Sequence, residues 1–102
     1  MRALRARADV RALAHVTGGG ISGNLARVLP AGVGAVIDPA GWERPPVFAW
    51  LAAEGVPEDE LRRVFNLGIG YCAVVPAADV TADDCVIGRL EAGVVGVEWA
   101  DA

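Results

Sequence analysis

Apolar positions along this 102-residue chain change spacing several times, and each change marks an element. Met1 to about Asp9 reads as a helix with Leu4 and Ala8 on one side, and Val10 to His15 as a short buried strand. After the run Thr17-Gly18-Gly19-Gly20, the positions Ile21, Leu25 and Val28 recur at helical spacing. They predict a helix from roughly Ser22, its N-cap, to Leu29, stopped by Pro30. The run Ala35-Val36-Ile37 predicts a buried strand over Gly34 to Asp38.

Pro39 to Pro46 reads as loop, with Pro45 and Pro46 suited to the first turn of the next helix. Phe48, Leu51 and Ala52 give that helix an apolar face, and Gly55 ends it. Pro57 opens another helix. Its acids, Glu58, Asp59 and Glu60, precede Arg62 and Arg63, as the helix dipole favours, and Leu61, Val64 and Phe65 are expected in the core. A second glycine-bearing turn, Asn66-Leu67-Gly68-Ile69-Gly70, leads into an apolar strand over Tyr71 to Val75. Cys85 to Leu90 and Val94 to Trp99 read as two more strands, and the link Glu91-Ala92-Gly93 suggests a hairpin between them. Helices and strands mix without strict alternation. The expected fold is therefore α+β (mixed α/β), one domain over 1–102, a single sheet with helices packed on it.

Composition narrows the function classes. A content of 54% hydrophobic residues is ample for one core, yet no apolar run approaches the ~20 residues that cross a bilayer. No membrane partner is expected, and no signal peptide is visible. The net charge of −4 argues against nucleic acid. The charge is uneven. Arg2, Arg5, Arg7, Arg11 and Arg27 face Asp9 alone in the first 30 residues, so the end bearing the glycine run is the positive one. Cys72 and Cys85 lie in apolar stretches without metal spacing and read as reduced core residues of a cytoplasmic protein.

The candidate chemistry gathers at His15-Val16-Thr17-Gly18-Gly19-Gly20. Glycines let backbone N–H groups approach a ligand closely, and such a loop suits an anion. His15, the one histidine, sits at its edge, where it can donate to a phosphate or move a proton. The alternative is a tight turn and nothing more. The spacing matches neither the nucleotidase phosphate loop nor the dinucleotide fingerprint.

Taken in order, several stretches resemble a known family. His15-Val16-Thr17-Gly18-Gly19-Gly20-Ile21 followed by Asn24-Leu25-Ala26-Arg27-Val28-Leu29-Pro30 is similar to the signature of phosphoribosylformylglycinamidine cyclo-ligases, the aminoimidazole ribonucleotide (AIR) synthetases. Trp42, Pro45-Pro46-Val47-Phe48, Trp50-Leu51 and Phe65-Asn66-Leu67-Gly68-Ile69-Gly70 also resemble motifs of that family. The likeness covers about residues 3–98 and corresponds to the family's C-terminal half, without its N-terminal ATP-binding domain. The family usually carries a full helix after the Tyr71–Val75 strand. Only Pro76 to Asp84 fills that place here, so one helix is expected to be shortened or missing.

The family reaction implied by this resemblance uses ATP and Mg to close an imidazole ring in purine biosynthesis. The implied residues are His15 as a catalytic group and Thr17, Gly18, Gly19, Gly20, Asn24, Arg27, Asn66, Gly68 and Gly70 as the cradle of a phosphorylated small-molecule substrate. Local alternatives stand beside these roles: a helix C-cap for Asn66, an exposed helix position for Asn24, a surface ion pair for Arg27. Trp42, Phe48 and Trp50 read as core. The chain has no lysine and no acidic cluster resembling a metal site, so no cofactor is expected to bind it alone. Three readings follow: the substrate-side domain of a cyclo-ligase, inactive without an N-terminal partner; a stand-alone domain that binds a phosphorylated metabolite or acts as an interaction module; or a degenerate remnant that folds but does nothing. Apolar surface along Tyr71–Val75 and Cys85–Leu90 further predicts a homo-oligomer.

Overall fold

A computed structural model describes residues 9–101. The helix expected over Met1 to Asp9 lies outside the described residues apart from Asp9. The elements run β1 (Ala12–His15), α1 (Gly20–Ala26), β2 (Val33–Ile37), α2 (Pro46–Ala53), α3 (Glu58–Val64), β3 (Tyr71–Val74), a 3-10 turn (Ala77–Asp79), β4 (Gly88–Ala92) and β5 (Val97–Trp99). The class is mixed α/β, as the pattern predicts. The strands, however, form two small sheets rather than one: β1 pairs antiparallel with β3, and β4-β2-β5 form the other.

The expected hairpin between the last two strands is absent. β4 runs antiparallel along one edge of β2, and β5 runs parallel along the other. The reason lies in β2, where Gly34 to Ile37 are all buried. A strand enclosed on both faces needs ladder partners on both edges, and the two exposed strands supply them. The chain passes from β4 to β5 directly over Gly34. A Cβ there would stand 2.5 Å from the Val94 carbonyl oxygen.

The core has two parts. Ala14, Val16, Ile21, Leu25, Ala35, Ile37 and Cys72 pack between the sheets and α1. Phe48, Leu61 and Leu67 form a second cluster beneath α2 and α3, and Trp42 and Trp99 touch both. Trp42 and Phe48 therefore take the core positions expected of them. Trp50 does not, being 60% exposed on the outer side of α2, and Val64 lies exposed at the end of α3. Cys72 is buried, and burial pushes its thiol up to about 11, whereas Cys85 is exposed. The segment after β3 contains only the single 3-10 turn, which leaves an open apolar cleft of about 310 Å³ lined by Leu25, Cys72, Val74, Val80, Val86 and Leu90. Among the described residues, no helix is long and apolar enough to cross a membrane.

Candidate functional site

The glycine run is placed by the β1–β3 ladder. His15 pairs with Tyr71, and the next amide, Val16, donates to the Gly70 carbonyl at 2.8 Å. The two glycine-bearing turns, remote in sequence, are thereby joined at their roots. Beyond Val16 the chain turns through Gly19 (φ 98°) and Gly20 (φ 68°) into α1. Gly19 is the N-cap, so the helix starts and ends three residues earlier than Ser22 and Leu29 predict. Ser22 instead accepts a hydrogen bond from Trp99 Nε1 at 3.1 Å.

Asn24 is neither exposed nor free. It is 6% exposed, and its Nδ2 donates to the carbonyls of Gly20 (2.8 Å), Thr17 (3.3 Å) and Gly18 (3.3 Å), while its Oδ1 accepts from Thr17 Oγ1 (3.3 Å). Its side chain is a latch that turns the loop's carbonyls inward. Of the loop's amides, Gly20 N–H is already committed to the Thr17 carbonyl. Thr17, Gly18 and Gly19 are exposed.

Gly20 shows what the loop rests on. A Cβ on it would stand 2.3 Å from the Arg62 carbonyl and 3.0 Å from that of Phe65, so the loop leans on the end of α3. That end is tied down by charge. Arg62 lies 4.3 Å over the Trp99 ring, bonds Glu58 through Nε and holds Asp101 through both terminal nitrogens. Arg44 reaches the same Glu58 carboxylate. The Arg44 hydrogen bond, with Arg62 behind it and against partial desolvation, holds Glu58 below the usual carboxylate range. Arg62 does the same for Asp101.

The second turn is equally determined. Asn66 Oδ1 accepts from the Gly68 amide at 2.8 Å, an Asx turn rather than a helix cap. Leu67 sits at φ 57° with its side chain fully buried, and its carbonyl accepts from Trp42 Nε1 at 3.0 Å. A Cβ on Gly68 would collide with the Pro45 ring at 2.6 Å. Gly18 and Gly70 differ from these. Neither has positive φ, and a Cβ on either would meet nothing within 4 Å.

Thus β1, the loop, α1 and the second turn bring His15, Thr17 to Gly20, Asn24, Asn66, Gly68 and Gly70 into one neighbourhood. Arg27 caps the far end of α1 with its side chain exposed and without an acidic partner among the described residues. A contact outside the sequence motifs is the ring of Tyr71, stacked on His15 with centroids 4.5 Å apart and planes 9° apart. The register that creates it joins strands 56 positions apart, so no local pattern carries that signal. No three His, Cys, Asp or Glu side chains among the described residues come together to hold a metal ion.

The fold and this pair of glycine turns define a compact domain with one rigid, solvent-facing loop. The profile of the family described as AIR synthase related protein, C-terminal domain, matches residues 1–98, and the chain belongs to that family. It is 48% identical over 90 residues to a phosphoribosylformylglycinamidine cyclo-ligase of Parasynechococcus marenigrum, covering 85% of this chain and 26% of that protein. Proteins of the same name from Synechococcus sp. (strain RCC307) and Prochlorococcus marinus (strain MIT 9211) are 54% identical over 69 residues and 47% over 74. These cover 67% and 72% of this chain and 20% and 21% of those proteins. The chain spans about a quarter of the length of the curated relatives it matches.

Proposed function

We propose that this chain is the substrate-side C-terminal domain of a cytoplasmic phosphoribosylformylglycinamidine cyclo-ligase and that it holds the phosphate of a phosphorylated substrate at Thr17–Gly20. The observation that carries this reading is the loop itself. It is latched by Asn24, braced on α3, and leaves Thr17, Gly18 and Gly19 facing solvent. Gly18 and Gly70 have no internal steric reason to be glycine, which fits close approach by a ligand. Arg27, the C-cap of α1, stands at the opposite end of that helix from the loop and contributes only general positive charge to this end of the domain. His15 at the loop's edge donates to the bound group or moves a proton there.

ATP and Mg belong to the whole reaction, but the residues described here do not fit them. No lysine occurs in the sequence and no metal-ligand set forms among the described residues. On this reading both are held outside these residues, by the N-terminal domain of the cyclo-ligase, and these 102 residues alone turn nothing over.

Titration of the labelled chain with ribose 5-phosphate tests the proposal. The amides of Thr17 to Gly19 should shift first, and Gly18→Val should abolish the shift by filling the space above the loop, since Gly18 has ordinary backbone and open space around it. An undisturbed loop at millimolar ligand would overturn the phosphate site. Turnover of ATP and substrate by the purified chain above a blank would overturn its dependence on a partner.

A further inference from the structure

Resting on the reading of Thr17–Gly20 as a phosphate site, we infer that Tyr71 is a positioning residue that fixes the His15 imidazole at the edge of that loop. The two rings are stacked nearly parallel, 4.5 Å apart. Burial does not explain the pair, because Tyr71 is 53% exposed and His15 is exposed as well. Both backbones are already fixed: His15 and Tyr71 are cross-strand partners, and Val16 and Gly70 close the ladder one residue further on. What remains free is the rotation of the His15 side chain, and the Tyr71 ring occupies one side of it. An exposed imidazole otherwise samples several rotamers, and only some of them face the loop. Tyr71 also follows Gly70 directly, so one residue couples the second turn to the histidine of the first.

The ring face, not the phenol, does this work. Tyr71→Phe should keep the stack, and Tyr71→Leu should lose it while leaving an apolar side chain in the strand. In the wild type and in Tyr71→Phe, the ring protons of His15 should be displaced upfield by the neighbouring ring, and in Tyr71→Leu they should return to the position of a free histidine. Inorganic phosphate, followed on the Gly18 and Gly19 amides, should bind Tyr71→Leu roughly two- to tenfold more weakly, the range an aromatic pair is worth. Tyr71→Phe should bind it as the wild type does. In a His15→Ala background Tyr71→Leu should have no further effect, since its action passes through His15.

Equal phosphate affinity in Tyr71→Leu and wild type would overturn the inference. So would equal weakening by Tyr71→Phe, or a full Tyr71→Leu effect without His15. If phosphate leaves the wild-type loop unmoved, the phosphate site itself fails. The His15 ring protons then decide separately whether Tyr71 orients that ring, and unshifted protons in the wild type would refute it.

Discussion

Asn24 offers a sharp test of how the glycine loop is held. Its side chain makes one short bond, to the Gly20 carbonyl at 2.8 Å, and three of 3.3 Å with Thr17 and Gly18. A well-formed hydrogen bond is worth about 1 kcal/mol net, and the longer ones less. Asn24→Ala should therefore cost about 2 kcal/mol, some of it recovered because Thr17 and Gly18 are exposed and water can reach their carbonyls. For a domain of this size that lowers Tm by roughly 8–16 °C. Asn24→Asp is the more telling change. It keeps the shape and still accepts from Thr17, but it sets a carboxylate against three carbonyl oxygens and removes both donors. Asn24 is the fifth residue of α1, beyond its first turn, so the helix dipole offsets little of this loss and the aspartate should be at least as damaging as alanine at pH 7. Facing those carbonyls raises its folded pKa above the unfolded value of about 3.9. Protonation then favours the folded state and restores one donor, so the deficit against wild type should narrow as pH falls from 7 towards 4. Thermal unfolding of both variants and wild type at the two pH values measures this. An Asn24→Asp chain as stable as wild type at pH 7, or a deficit unchanged at pH 4, would refute the latch.

Two glycines near the loop should respond oppositely to alanine. Gly20→Ala forces a Cβ to 2.3 Å from the Arg62 carbonyl at φ 68° and should cost more than about 2 kcal/mol. Gly23→Ala adds a Cβ to open space within α1 and should stabilise by roughly 0.5–1 kcal/mol; urea midpoints of the pair check both signs. Ellman's reagent should titrate Cys85 rapidly at pH 8 and reach Cys72 only after denaturation, since burial holds that thiol near 11. Glu58 and Asp101 have depressed folded pKa values, so their contribution is complete above the unfolded carboxylate range and fades as pH falls below about 4. Both carboxylates are about half-exposed, so molar salt should flatten this acid dependence, and an unchanged profile would show that the Arg44–Glu58–Arg62–Asp101 chain contributes nothing. Self-association across the cleft beside β3 should appear as a dimer in sedimentation, and a monomer at tens of micromolar would show that the cleft stays open.

The parts of the fold legible in the sequence are those decided locally. Pro46 and Pro57 mark the starts of α2 and α3, the first inside the helix and the second as its N-cap. The run through Ala35 to Ile37 announces a buried strand whatever its neighbours are. Strand pairing is a different matter. Val94 to Trp99 carries the same apolar pattern whether it folds back on β4 or crosses to the far edge of β2, and only the demand of a doubly buried β2 for partners on both edges decides. Exposure failed for a related reason. Trp50 lies on an apolar helical stretch and Val64 three residues after the buried Leu61, but spacing tells which residues share a face, not whether anything covers it.

The site divides along the same line. As a motif, Gly18, Gly19, Gly20, Gly68 and Gly70 look alike, five permissive residues at a presumed ligand. In three dimensions Gly19 is the N-cap of α1 at φ 98°, and the other four serve two purposes. Gly20 and Gly68 are spent on packing, the first against the carbonyls closing α3 and the second against Pro45. Asn24 belongs with them, since its polar atoms go to the loop itself. Gly18 and Gly70 are held in ordinary backbone with open space where a side chain would stand. The first group should therefore respond in stability and the second in ligand affinity. Alanine at Gly18 or Gly70 ought to leave the unfolding midpoint within about 0.5 kcal/mol of wild type while weakening phosphate binding. A loss of stability at either position would move it from the ligand's side of the motif to the scaffold's.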